Sequence, residues 1–115
     1  SEDLINKAFY PVLSFFLRQK NLFTKVIFLT NYIFDEYYDL YHQLQSISLS
    51  KDKKLTIVSN QYRTILIDQN KEFINEKNIK RKINILKSFN SQYQDTLDIK
   101  EVDLTWKNKI FIKSI

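Results

Sequence analysis

The sequence predicts an α+β domain, with helices packed on one face of a largely antiparallel sheet. Two observations carry that expectation. Apolar residues recur every three or four positions over 23–44 and again over 74–90. Between and after these runs, at 45–68 and 97–114, the pattern changes to short alternating, β-branched stretches. Helical and strand periods that take turns along one chain, with the strands close enough to pair as hairpins, define this class.

The first segment, residues 1–23, mixes signals. Leu4, Ile5, Ala8 and Phe9 have helical spacing, but Pro11 holds the residue before it extended, and Arg18-Gln19-Lys20-Asn21 is polar. It reads as a short helix or strand followed by a loop. The helix over 23–44 is the strongest element. Val26, Leu29, Ile33, Tyr37, Leu40 and Leu44 make one stripe, which Phe34 and Tyr41 are expected to widen, while Asp35, Glu36 and Asp39 lie on other faces. Three strands follow, centred on Ser46–Leu49, Leu55–Ile57 and Tyr62–Ile67. Lys51–Lys54 and Ser59-Asn60-Gln61 are their turns, with Asn60 doing the work of a glycine. The second helix, 74–90, is capped by Asn75 or Asn78 and buries Ile79, Ile83, Leu86 and Phe89. Lys77, Lys80, Arg81, Lys82 and Lys87 are expected on its solvated surface. A last hairpin alternates Val102, Leu104 and Trp106 with Glu101, Asp103 and Thr105, turns at Lys107-Asn108-Lys109, and ends in Ile110-Phe111-Ile112.

The 115 residues suit one domain, and 43% hydrophobic with 15% aromatic residues supplies one core. There is no Cys, which removes disulfides, thiolate metal sites and cysteine nucleophiles. There is no Gly, which removes the glycine-rich phosphate loops and dinucleotide fingerprints. The single His42 lies in an apolar-periodic run with no partner for acid–base work. Asp35 and Glu36 are neighbours on a helix, so their carboxylates point apart and make a poor catalytic pair. No catalytic residue, metal or cofactor is expected. No apolar run is long enough to span a membrane, and Glu2 and Asp3 are the wrong flank for a signal peptide.

The net charge of +5 is uneven: residues 1–50 carry 4 basic and 5 acidic residues, and residues 51–115 carry 14 and 8. The basic half leaves a nucleic-acid-binding module as the alternative function. Its cations are interleaved with Glu72, Glu76, Asp98, Glu101 and Asp103, however, as on a solvated face, so no nucleic acid is expected as partner.

The run Ile99-Lys100-Glu101-Val102-Asp103-Leu104-Thr105-Trp106-Lys107-Asn108-Lys109-Ile110-Phe111-Ile112-Lys113, preceded by a helix and a short loop, resembles the end of the extracytoplasmic β domain of the bacterial cell-division proteins FtsQ/DivIB. That family reads there as a Val/Ile-Asp-Leu-Arg-Tyr strand, a polar turn and a final hydrophobic strand. Leu55-Thr56-Ile57 and Thr64-Ile65-Leu66-Ile67 resemble the preceding strand pair. The helix near Asn78, with Lys82 and Leu86, resembles the linking helix, and Tyr10-Pro11-Val12-Leu13 the segment before the first helix. Thr105 stands where the family usually has Arg, and the family's Gly after Pro-Val-Leu is missing. The resemblance implies a non-catalytic scaffold of the divisome. Its partners would be FtsB/DivIC and FtsL-type coiled-coil proteins. The domain would lie on the extracytoplasmic (periplasmic) side of the inner membrane, anchored by a single-pass span that, with a POTRA domain, lies outside this chain. It also implies a partner site on the final strands, which we place at Thr105, Trp106, Lys109, Ile110, Phe111, Ile112 and Lys113. Ile110-Phe111-Ile112-Lys113 is expected as the closing strand, with no later strand to pair its outer side, and Trp106, just before the turn, as the aromatic anchor; the alternative is that Trp106 is core and residues 1–23 cover the edge.

Overall fold

The structure, a computed structural model, describes residues 20–93 and 98–115. The resemblance noted at Tyr10–Leu13 and the expectations for residues 1–19 fall outside it. Three helices, α1 over 20–36, α2 at Tyr38–Gln43 and α3 at Glu76–Tyr93, accompany five strands. These are β1 Leu44–Leu49, β2 Lys54–Ser59, β3 Arg63–Asp68, β4 Ile99–Asp103 and β5 Phe111–Ser114. They form one sheet in sequence order, β1-β2-β3-β4-β5. Every pairing is antiparallel except β3 with β4, which is parallel. The chain between those two strands is α3, and a helical crossover is what a parallel pair requires. The expected α+β class, with a largely antiparallel sheet, is the fold.

The pleat sorts the sheet into two faces. Leu55 and Ile57 on β2, Leu66 and Ile67 on β3 and Val102 on β4 are buried, together with Ile79, Ile83 and Leu86 of α3 and Leu29 and Ile33 of α1. A bulge between Leu55 and Thr56 shifts the β2–β3 register there, which lets the adjacent Leu66 and Ile67 both be buried. Asn75 caps α3, its Oδ1 accepting from the Asn78 N–H at 2.9 Å.

The expected single helix over 23–44 is two helices. Tyr37 (φ −146°, ψ 63°) separates α1 from α2, and Leu44 already belongs to β1. Tertiary contacts fix the break. The Lys87 ammonium donates to the Glu36 carbonyl at 2.9 Å, placing a cation at the negative end of α1. Asn90 donates to the Tyr37 hydroxyl at 2.6 Å. Phe34 and Tyr41 do not widen the buried stripe; both are exposed. Lys82, expected on the helix surface, is instead buried inside the fold. The left-handed turn residues are Lys53 (φ 64°) and Asn108 (φ 58°). Asn60 takes no such conformation; it ties the β2–β3 turn to the end of α2, its N–H donating to Gln43 O at 2.9 Å and its Oδ1 accepting from Gln45 at 2.7 Å.

Asn90 is buried and also accepts the Tyr62 hydroxyl, so one amide joins α3, the α1–α2 junction and the turn before β3. Burial, opposed by the Asn90 bond and reinforced by Tyr37, pushes the Tyr62 phenol from 10.0 up to about 12. A phenol whose pKa is raised on folding contributes stability that is complete below its unfolded value and lost as pH climbs to its folded one. The urea midpoint is therefore expected to fall between about pH 10 and pH 12 more steeply in the parent than in Tyr62→Phe. Parallel alkaline profiles for the two proteins would remove Tyr62 from the account.

Candidate protein-docking site

The hairpin of β4 and β5 closes one end of the sheet. In the β4–β5 ladder Val102 faces Ile112, Asp103 faces Phe111 and Glu101 faces Lys113. Val102 is fully buried, so Ile112 points to the helix side and Phe111 and Lys113 to the other. All four residues of β5 are exposed. Ile110, Phe111 and Ile112 are between 38% and 48% exposed, much for apolar side chains at the end of a sheet, and Ile115 is exposed too.

Among the described residues no strand lies beyond β5, so alternate N–H and C=O groups along it face outward without a ladder partner. The opposite edge, β1, is built differently. Its exposed positions are Gln45, Ser46 and Ser48, its Ile47 and Leu49 are half-buried, and a bulge interrupts its register between Leu44 and Ser46. Polar side chains and a bulge are common guards on a strand edge; β5 carries Lys113 and Ser114 at its far end, and the β4–β5 register is irregular between Ile99 and Glu101, but its first two residues, Phe111 and Ile112, are apolar and exposed.

The turn residues brace this edge. β4 ends at Asp103, so Trp106 lies in the turn and not in a strand, and it is 48% exposed. Its indole N–H donates to Asp103 Oδ2 at 3.2 Å, its ring meets Phe111 edge-on with centroids 5.1 Å apart, and the Lys71 ammonium sits 3.9 Å above it. Thr105 is buried. Its N–H and hydroxyl donate to Asp103 Oδ1 at 2.9 and 2.6 Å. Asp103 thus fixes both the turn and the tryptophan. Lys113 pairs with Glu101 across the ladder at 3.4 Å, and Lys109 stands exposed in the turn.

A groove of about 1090 Å³ separates the hairpin from α3. Ile85, Phe89, Ile110 and Ile112 line it, and Lys71, Arg81, Lys107 and Lys109 surround it. Ile112 therefore presents one apolar surface to the groove while Phe111 presents another beyond the sheet.

The remaining charges of α3 are largely engaged within the protein. Arg81 bonds Glu72 at 2.6 Å, Lys82 lies 3.4 Å from the same carboxylate and donates to the Leu104 carbonyl, and Lys80 lies 5.8 Å from the Phe28 ring. Among the described residues no group of three His, Cys, Asp or Glu is placed to hold a metal, and no helix is long and apolar enough to cross a membrane.

The sequence singled out Thr105, Trp106, Lys109, Ile110, Phe111, Ile112 and Lys113, and the fold gathers them at one end of the sheet. It omitted Lys71 and Asp103, which hold Trp106 from the loop after β3 and from the end of β4. Asp103 had a readable signal, an acidic residue two before a threonine and three before a tryptophan; Lys71 had none. Among the described residues, fold and edge together define a small α+β domain whose β5 edge is exposed and partly apolar. No family model, curated protein or solved structure matches the chain.

Proposed function

We propose that this chain is a non-catalytic docking domain that accepts a segment of a partner protein as an added strand along β5. The observation that carries the reading is the exposed apolar run Ile110-Phe111-Ile112 at the β5 edge, where the exposed positions of the other edge, β1, are the polar Gln45, Ser46 and Ser48. An added strand gains main-chain hydrogen bonds, and its alternate side chains meet Phe111 on one side and Ile110 and Ile112 on the other. Trp106, held by Asp103 and Lys71, is the rigid aromatic anchor. Lys109 speeds the approach of an acidic segment.

The order α3, β4, turn, β5 also supports the resemblance of Ile99–Lys113 to the end of the FtsQ/DivIB β domain. On that reading the domain is part of a cell-division scaffold. It stands on the extracytoplasmic side of the inner membrane, anchored through a segment outside this chain, and takes FtsB/DivIC and FtsL-type proteins.

The test is a titration with the soluble region of the FtsB/DivIC-type protein from the same genome, read by the fluorescence of Trp106, the only tryptophan in the chain. Trp106→Ala, read by calorimetry, and Phe111→Asp are expected to weaken binding at least about tenfold, or ~1.4 kcal/mol, while circular dichroism stays native. Folded variants that bind like the parent would sink the β5 site. A parent that ignores this partner, yet shows β5 amides protected by another cellular protein, would remove the divisome reading and keep the edge.

A further inference from the structure

The groove between α3 and the last hairpin is divided along its length by charge. Its α3 wall is one row, Arg81, Ile85, Phe89 and Tyr93, each four residues after the last. At 1.5 Å per residue the row is about 18 Å long. The hairpin wall runs in the same direction. Lys82 of α3 donates to the Leu104 carbonyl, so the turn after Leu104 stands beside the start of the row. From that turn β5 runs back along β4, with Ile112 opposite Val102 and Ser114 opposite Ile99, toward the end of α3. The two ends of the groove therefore differ. Lys71, Arg81, Lys107 and Lys109 surround it at the turn, whereas Phe89, Tyr93 and Ile112 line it further along. The Phe89 and Tyr93 rings pack with centroids 5.4 Å apart.

The cations at the turn outnumber the acids. Glu72 is the one carboxylate on the lining, and Arg81 at 2.6 Å and Lys82 at 3.4 Å already share it. Lys71, Lys107 and Lys109 take part in none of the ion pairs among the described residues. Lys71 is held over the Trp106 ring, which leaves its charge in place. A cleft end lined by one sign of charge gathers the opposite sign. Charge at one end and apolar surface along the rest fit a ligand built the same way. An amphipathic helix carries its charges along one side for its whole length. An extended peptide brings N–H and C=O groups onto an apolar floor. An acyl chain does neither. We propose that the groove binds a single-chain fatty acid, its carboxylate among Lys71, Lys107 and Lys109 and its chain along Ile85, Phe89 and Ile112. A volume of about 1090 Å³, mostly apolar walls and a few convergent polar groups are the usual make-up of a small-ligand site. The inference does not rest on strand addition, which uses the main chain along the β5 edge and not the side chains facing α3.

The experiment titrates the whole chain with laurate below its micelle concentration, read by calorimetry and by the fluorescence of Trp106, which lines the groove. Two further probes separate head from chain. Dodecyltrimethylammonium has the same chain with a cationic head, and butyrate the same head with little chain. Laurate is expected to saturate one site, and each of the other probes to bind at least about tenfold more weakly. Replacing Lys107 and Lys109 together by Gln should weaken laurate at least about fivefold and flatten its salt dependence. Ile85→Gln, on the α3 wall, should weaken it by a similar factor, with native circular dichroism in both variants. Absence of saturable laurate binding overturns the proposal. So does equal binding of dodecyltrimethylammonium, which makes the groove a general apolar surface, or folded variants that bind laurate like the parent. An acidic amphipathic peptide that binds where laurate does not, and is lost in the same variants, would assign the groove to a protein instead.

Discussion

Replacing Glu72 by alanine is expected to cost about 3 kcal/mol of folding stability, several times what loss of an ordinary surface glutamate costs. The reason is Lys82. Its residue is only 4% exposed, and its ammonium has two partners given by the fold, the Leu104 carbonyl and Glu72 Oε1 at 3.4 Å. Without Glu72 a buried cation keeps one neutral carbonyl and no counter-charge. Arg81, which shares the carboxylate at 2.6 Å, is half-exposed and is hydrated when released, so it adds little. The reciprocal change behaves differently. Lys82→Met keeps most of the buried stem and removes the charge, leaving Glu72 with Arg81 and one carbonyl without its donor, and is expected to cost about 1 kcal/mol. The readout is the urea midpoint of each variant at pH 7. Equal, small effects from both substitutions would mean that the ammonium is solvated in the folded protein.

Lys82 also marks where sequence reasoning stopped. Its position was legible, because it lies three residues after Ile79 and four before Leu86, squarely on the apolar row of α3. Its residue type pointed outward, and the carboxylate that compensates it sits in the irregular stretch before the helix, where no periodicity operates. The second helical face has a similar history. Phe34 and Tyr41 share apolar character with the buried stripe, and periodicity alone does not say which of two adjacent apolar faces meets the sheet. The break at Tyr37 carries no Gly or Pro; Lys87 and Asn90, some fifty residues downstream, make it. By contrast, the places of the strands and of the turns near Lys51–Lys54 and Ser59–Gln61 were readable, since alternation and polar turn residues are local properties, although β4 stops at Asp103 short of Trp106 and Asn60 is not the left-handed residue. The apolar β5 edge was readable in composition through Ile110-Phe111-Ile112. That it stands at the end of the sheet depended on topology, in particular on the parallel crossover that sets β4 beside β3.

Leu86→Ala is expected to cost roughly 2–5 kcal/mol, the largest effect of any single apolar truncation discussed for α3. Leu86 is fully buried in the cluster that joins Ile79 and Ile83 to Leu66, Ile67 and Val102 of the sheet, so truncation removes apolar contact and leaves a cavity that a close-packed neighbourhood fills poorly. The adjacent Ile85 gives the control. It is only half-buried and lines the groove beside β5, where a shortened side chain is replaced by solvent, and Ile85→Ala is expected to cost about 1 kcal/mol. Two neighbouring positions on one helix thus differ severalfold because one faces the sheet and the other faces the open groove. Urea titrations of the pair, with unchanged slopes to confirm two-state unfolding, measure the difference directly. If Ile85→Ala proved as costly as Leu86→Ala, α3 would have to be rotated toward β5, closing the groove. The apolar side chain of Ile112 would then be covered and only the Phe111 face would remain for a partner strand.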